Sequence, residues 1–272
     1  MMTPWIAALL TLFAWWFSTG VILWAVKRAD RIGEGAHLRT TLWCLPILGL
    51  GAYGLYATSA LSTVAGVSGA FLSALAVWGW IELAFLCGVI TGPNVRPCPA
   101  GIAPWERFMR AWGTIAHSEA LLVVTLLAIT ALCWNAPNTI GMWTFITLFF
   151  ARISAKLNVY LGVPKINVEF LPSPVRHLAS HFRVGPISWF FPVSITALSL
   201  AFACWLERAV TQDAGSASLI GFTILAALTA LALIEHWLMA LPVPDAKLWR
   251  WMIPDAAPKP TQTKQHDNTA TP

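Results

Sequence analysis

The sequence predicts an all-α fold: a polytopic membrane bundle of about seven transmembrane helices, with the N-terminus outside and the C-terminus cytoplasmic. Three observations predict it. Seven apolar runs are each long enough to cross a bilayer, which takes about 20 residues at 1.5 Å per residue. Charged residues make up only 11% of the chain and apolar ones 57%, against about 25% charged in soluble domains. Sixteen of the seventeen Lys and Arg residues fall in or beside alternate connections and the tail, and only Arg208 lies on the other side. Positive loops stay cytoplasmic, and that fixes the predicted orientation.

The runs, in order, are Trp5–Val26, Leu42–Leu61, Gly69–Ile90, Ile115–Trp134, Thr139–Leu161, Pro186–Leu206 and Ser218–Leu241. The first lacks a basic leader and a small-residue cleavage site, so it reads as a retained helix and not a signal peptide. Seven spans use up the chain, leaving one domain over residues 1–253 and a tail, 254–272, expected to be disordered for want of apolar residues. The net charge of +5 and pI near 9.1 come from basic loops that would face anionic headgroups. Nothing in them suggests nucleic acid, because no basic patch is interleaved with base-reading polar groups.

Between spans three and four, Gly92 to Pro99 reads as a stiff extended linker. After it, Trp105, Phe108, Met109 and Trp112 share one face at helical spacing, which predicts a separate interfacial helix on the cytoplasmic side. Ser173 and Pro174 predict a short helix with Ser173 as its N-cap, carrying His177 and His181. Of the sixteen Trp residues, Trp5, Trp134, Trp143, Trp189, Trp205, Trp249 and Trp251 fall at span ends, where an indole can sit half in water. The five cysteines show no paired spacing, although Cys133 and Cys204 both lie near outer span ends, where an oxidising compartment would allow a bridge. Gly49-Leu50-Gly51-Ala52-Tyr53-Gly54 matches the dinucleotide fingerprint by letter, but it lies inside a span, where small residues serve close helix packing.

Chemistry, if there is any, lies with ionisable residues inside the spans. Glu82, about 12 Å deep by helical rise, His117 and Glu119, Arg152 and Lys156, and Glu235 and His236 all fall in the cytoplasmic leaflet. A charge at mid-bilayer costs about 2.5–3.5 kcal/mol on insertion scales, and ionisable groups within spans mark either function or a paired network. Four helices contributing at one depth predict a shared polar pocket. Three readings remain open: a structural network that fixes helix packing, a ligand site walled by Trp78 and Trp80, and a metal or proton-handling catalytic site. The spacing disfavours a di-iron site, which uses a Glu-x-x-His pair on one helix face. No lysine sits in the seventh span to bind retinal, and no internal repeat suggests a transporter.

The ordered set Trp80-Ile81-Glu82-Leu83, Thr91-Gly92-Pro93, Trp105-Glu106-Arg107-Phe108, Glu119, Ser154-Ala155-Lys156-Leu157-Asn158, Gly162-Val163-Pro164, Glu169-Phe170-Leu171-Pro172 and Phe191-Pro192-Val193-Ser194 resembles the PuhE family of photosynthetic complex assembly proteins. The likeness spans roughly residues 70–200. It implies a multi-pass protein of the cell inner membrane that helps build the photosynthetic reaction centre and its light-harvesting subunits. It further implies binding or delivery of bacteriochlorophyll or a precursor; the alternatives are a membrane enzyme of tetrapyrrole synthesis and a pure scaffold for complex helices. The predicted ligand pocket holds Glu82, Glu119, His117, Arg152, Lys156, Asn158, Glu235, His236, Trp78 and Trp80. In it, His117 or His236 would meet the metal centre of a pigment, and Arg152 or Lys156 a propionate. Two positions depart from the family pattern: Ser118 stands where a histidine is expected before the acid, and His177 and His181 stand where tyrosines are expected.

Overall fold

The structure is a computed structural model and describes residues 2–241. Its helices are α1 (Pro4–Ile32), α2 (Ala36–Trp43), α3 (Leu45–Ser59), α4 (Val64–Leu86), α5 (Pro104–Cys133), α6 (Ile140–Leu161), α7 (Phe190–Val210) and α8 (Ala217–Ala240). Two 3-10 segments, Val168–Phe170 and Ser173–His181, lie between α6 and α7. Among the described residues the one non-helical pairing is a parallel bridge between Val163 and Val184. Among the described residues seven helices are long and apolar enough to span a membrane, with α2 and α3 together forming the second.

Helix ends follow backbone chemistry and not the edge of the apolar run. The α1 helix continues past Val26 through Lys27, Arg28, Asp30 and Arg31, because no breaker occurs before Gly33, whose φ of 93° ends it. The second span begins at Ala36, earlier than its apolar run suggests, and steps at Cys44. Pro46 causes the step, since it has no N–H and its ring collides with the carbonyl four residues back. The sixth span starts at Phe190 and not at Pro186, and it runs on through Glu207 and Arg208.

The expected interfacial helix is not separate. Trp105 to Trp112 form the first turns of α5, a continuous 30-residue helix that at 1.5 Å per residue outreaches a hydrocarbon core of about 30 Å. Gly113 alone does not interrupt it. The 91–94 segment crosses α5 at that glycine. A Cβ on Gly92 would lie 2.1 Å from the Gly113 carbonyl oxygen, so only glycine allows the approach. The Asn94 N–H donates to Gly113 O at 3.0 Å, and the Ser118 N–H donates to Thr91 O at 3.0 Å. These bonds fix the rotation of α5 where Ser118 and Glu119 sit.

The most deeply packed helices are α4 and α8. Phe71, Trp78 and Ile81 of α4 meet Phe145 and Leu148 of α6 and Ile224 of α8 in one core. The α3 helix lies against α4 through the glycine-rich stretch: a Cβ on Gly54 would come within 2.2 Å of Ser73 Oγ, and one on Gly51 within 2.9 Å of Ser73 O. All five cysteines are free thiols, so Cys133 and Cys204 are not joined. Ser173–His181 is a 3-10 helix preceded by Pro172, and Ser173 makes no side-chain cap bond. The predicted tail and the interfacial Trp249 and Trp251 lie outside the described residues.

Candidate functional site: a cross-helix ionic cluster and two cavities

Helical spacing places Trp78, Glu82 and Phe85 on one face of α4, and Arg152 and Lys156 on the facing side of α6. The Arg152 guanidinium is ion-paired to Glu82 through Nη1 and to Glu119 of α5 through Nε, the latter at 3.5 Å. Its Nη2 donates to Ser118 Oγ at 3.2 Å. Lys156 Nζ is ion-paired to the same Glu119 oxygen. The Phe85 ring lies under both cations, 4.9 Å from the guanidinium carbon and 4.6 Å from Lys156 Nζ. Two carboxylates thus meet two cations, and α4, α5 and α6 are joined through one buried arginine whose side chain is only 8% exposed. An unpaired charge at this depth would be costly; here each has a partner of opposite sign.

Glu235 and His236 are adjacent on α8 but serve different contacts, as their offset of about 100° requires. Glu235 Oε1 accepts from Trp15 Nε1 of α1 at 2.9 Å. His236 is buried, with Nδ1 2.8 Å from Ala232 O and Nε2 2.9 Å from Ser154 Oγ. A carbonyl can only accept, so Nδ1 carries the proton and Nε2 accepts from the Ser154 hydroxyl.

These groups border a cavity of about 390 Å³ between α1, α4, α6 and α8, lined by Trp15, Trp78, Glu82, Arg152, Glu235 and His236 among others. Ser18, Thr19, Thr147 and Lys156 also border it, the rest of its wall is apolar, and the volume lies toward the small end of ligand pockets, about 300–1,000 Å³. Of the ten residues the sequence singles out, six line this cavity and four do not. His117 is exposed on the outer side of α5. Trp80 turns to α2, where its Nε1 donates to Thr41 O at 3.1 Å. Asn158 ties α6 to α7, with Nδ2 donating to Ser194 Oγ at 2.9 Å. Glu119 does not line this cavity but borders a second one. The contributions of Trp15, Ser118, Phe85 and Ser154 escape a sequence reading, because each is an uncharged residue in or beside an apolar run. Among the described residues no group of three or more His, Cys, Asp or Glu is placed to hold a metal ion.

The second cavity, of about 300 Å³, lies between α5, α6 and the 171–182 segment. Phe85, Phe108, Trp112, Tyr160 and Phe182 supply its rings, and Glu119, Lys156 and His181 its polar groups.

A family model described as a protein of unknown function, DUF3623, matches residues 1–260. A Rhodobacter capsulatus protein described as an uncharacterized 30.4 kDa protein in the puhA 5′ region is 53% identical over 255 residues, covering 93% of this chain and 92% of its own. No solved structure matches the chain.

Proposed function

We propose that this chain, which belongs to the DUF3623 family of proteins of unknown function, is an accessory factor of the cell inner membrane for building a photosynthetic complex, working as a helical scaffold. The context comes from the relative whose description places it in the puhA 5′ region and from the motif order that resembles the PuhE family. The observation that carries the scaffold reading is Arg152, shared between a carboxylate of α4 and one of α5. The cluster consumes its own charges. Such a network fixes one arrangement of helices, a role buried ion pairs fill better than they add stability. With the frame held internally, the exposed aromatic and aliphatic face of α1, including Trp5, Leu9 and Phe13, is left for helices of the reaction centre or light-harvesting subunits.

A second reading, pigment binding, is favoured by the 390 Å³ cavity and the Trp78 ring on its wall. A bacteriochlorophyll ring held through its metal needs a free ligand, and these residues do not fit it as they stand. The His236 Nε2 lone pair is taken by Ser154, His117 faces away, and both cations are already ion-paired. What remains is a largely apolar slot beside the indoles of Trp15 and Trp78, which would hold a ring by packing alone.

The test is an absorption spectrum and bound-metal analysis of protein purified in mild detergent from a phototrophic host, together with the absorbance of a host lacking the chain. The scaffold reading expects a colourless, metal-free protein and a host depleted of assembled complex. Stoichiometric pigment would replace it with the second reading. Unchanged complex absorbance in the host without the chain would remove the accessory role altogether.

A further inference from the structure

Glu235 is the acid of the α1–α4–α6–α8 cavity that the ionic cluster leaves out. Glu82 and Glu119 share Arg152 and Lys156, whereas Glu235 makes one bond, accepted at Oε1 from Trp15 Nε1. Among the described residues its second oxygen has no partner. The carboxylate is also within reach of an outside group, because Glu235 is exposed on the last turns of α8, as are Ile234 and Trp237 beside it. On the outer surface of a span, a carboxylate without a cation beside it is costly. The unmet need here is for a positively charged donor from outside the chain.

Two cavities meet at this residue. Glu235 and Met239 border both the 390 Å³ cavity and a smaller one of about 280 Å³, whose wall includes Lys165 and Asn167 of the segment after α6. That segment is fixed against α8, since the Lys165 N–H donates to Met239 O at 3.2 Å, one helical turn (about 6 Å of rise) from Glu235. In the other direction, Ser18 and Leu75 belong both to the larger cavity and to a third, of about 430 Å³, which follows α1 and α4 as far as Met2. Three hydroxyls line that third cavity, and each donates to a carbonyl of its own helix: Thr11 to Ala7, Ser18 to Trp15 and Ser68 to Val64. A hydrocarbon chain there would leave no polar group unmet. The outline is a charged mouth that opens into a long apolar groove beside α1, which is the shape of an amphiphile and not of a compact ring.

We propose that this groove binds phosphatidylethanolamine. Its ammonium donates to Glu235 beside the Trp15 indole, its phosphate lies toward Lys165 and Asn167, and one acyl chain runs along α1 past Ser18 and Leu75. A lysine ammonium carries three donors, so a bond it already makes leaves others for a phosphate oxygen. Specificity lies at Glu235. A choline headgroup has no N–H to donate, and a glycerol headgroup has no positive charge. The lipid site is independent of the scaffold role, which a colourless, lipid-bound bundle serves equally well. A chain in the larger cavity takes the space that the pigment reading needs.

The test is native mass spectrometry of the full-length protein in detergent, titrated with palmitoyl-oleoyl phosphatidylethanolamine and, separately, with the phosphatidylcholine and phosphatidylglycerol of the same chains. One tightly held phosphatidylethanolamine per chain is expected, at least about tenfold tighter than phosphatidylcholine, the usual size of a hydrogen bond to a charged acceptor. Glu235→Gln keeps the shape and the bond from Trp15, and it should lower phosphatidylethanolamine affinity about tenfold without weakening phosphatidylglycerol. Ser18→Leu, where the two larger cavities join, should weaken all three lipids by filling the groove. Glu207→Gln, exposed near the opposite end of the bundle, should change none. Absence of a saturable site, which would mean exchanging bulk lipid only, overturns the proposal. So does equal affinity for the ethanolamine and choline lipids, or a preference that survives Glu235→Gln. Undiminished binding in Ser18→Leu would overturn the chain's path along α1.

Discussion

Arg152 is bonded to carboxylates on two other helices, so removing it leaves two acids without their shared cation. Arg152→Met should destabilise the bundle by about 3–5 kcal/mol, the usual cost of breaking a buried pair from one side, read as an earlier thermal transition in detergent. Replacing Glu82, Glu119 and Arg152 together with apolar residues should cost much less, because no uncompensated charge remains. His181 makes the opposite kind of prediction. Its folded pKa lies below the ordinary 6.5, so between those two values the unfolded chain binds a proton that the folded chain does not. Stability therefore rises with pH in that window and is lost as pH falls through it. The exchange protection of residues 171–182, taken relative to the intrinsic rate at each pH, should fall from pH 7 to pH 5 in the native protein. In His181→Phe this fall should shrink to the remainder due to His177, whose pKa burial also lowers.

At the scale of the element, small residues decide how closely helices approach. The Gly54 position touches Ser73 and the Gly51 position touches Ser73 and Val77, whereas Gly49 has open space around its missing Cβ. Gly54→Val should cost about 1–3 kcal/mol by overpacking the α3–α4 contact. Gly49→Ala should be neutral or stabilising by up to about 1 kcal/mol, since alanine is the better helix former and meets nothing. Thermal unfolding of the two variants side by side checks both signs. Contact distance thus accounts for two of the three glycines of the imitated fingerprint, Gly51 and Gly54, and not for Gly49.

For the whole molecule, the sorting of positive charge predicts an orientation that accessibility can check. With the native cysteines replaced by alanine, Arg96→Cys should react with a membrane-impermeant maleimide only after the membrane is opened. Asp213→Cys, in the connection between α7 and α8, should react from outside. The reverse pattern would invert the topology read from the loops. The same tertiary arrangement turns the ionisable residues of the spans into unequal partners. Glu82, Glu119, Arg152 and Lys156 meet, while His117, two positions from Glu119, faces away.

The sequence by itself determined the seven spans and the alternation of basic connections along the chain, because bilayer thickness and the cost of moving charge through lipid act on local composition. It did not determine where helices end, since α1 and α7 run past their apolar stretches until glycine or the chain's turn stops them. Nor did it determine which charges pair. That depends on helix rotation, and rotation is set by contacts between residues far apart in the chain: Gly92 against α5, Gly54 against Ser73, and Phe145 beside Trp78. Only the tertiary structure brings Arg152 to two acids, because angular position around a helix axis is a property of packing.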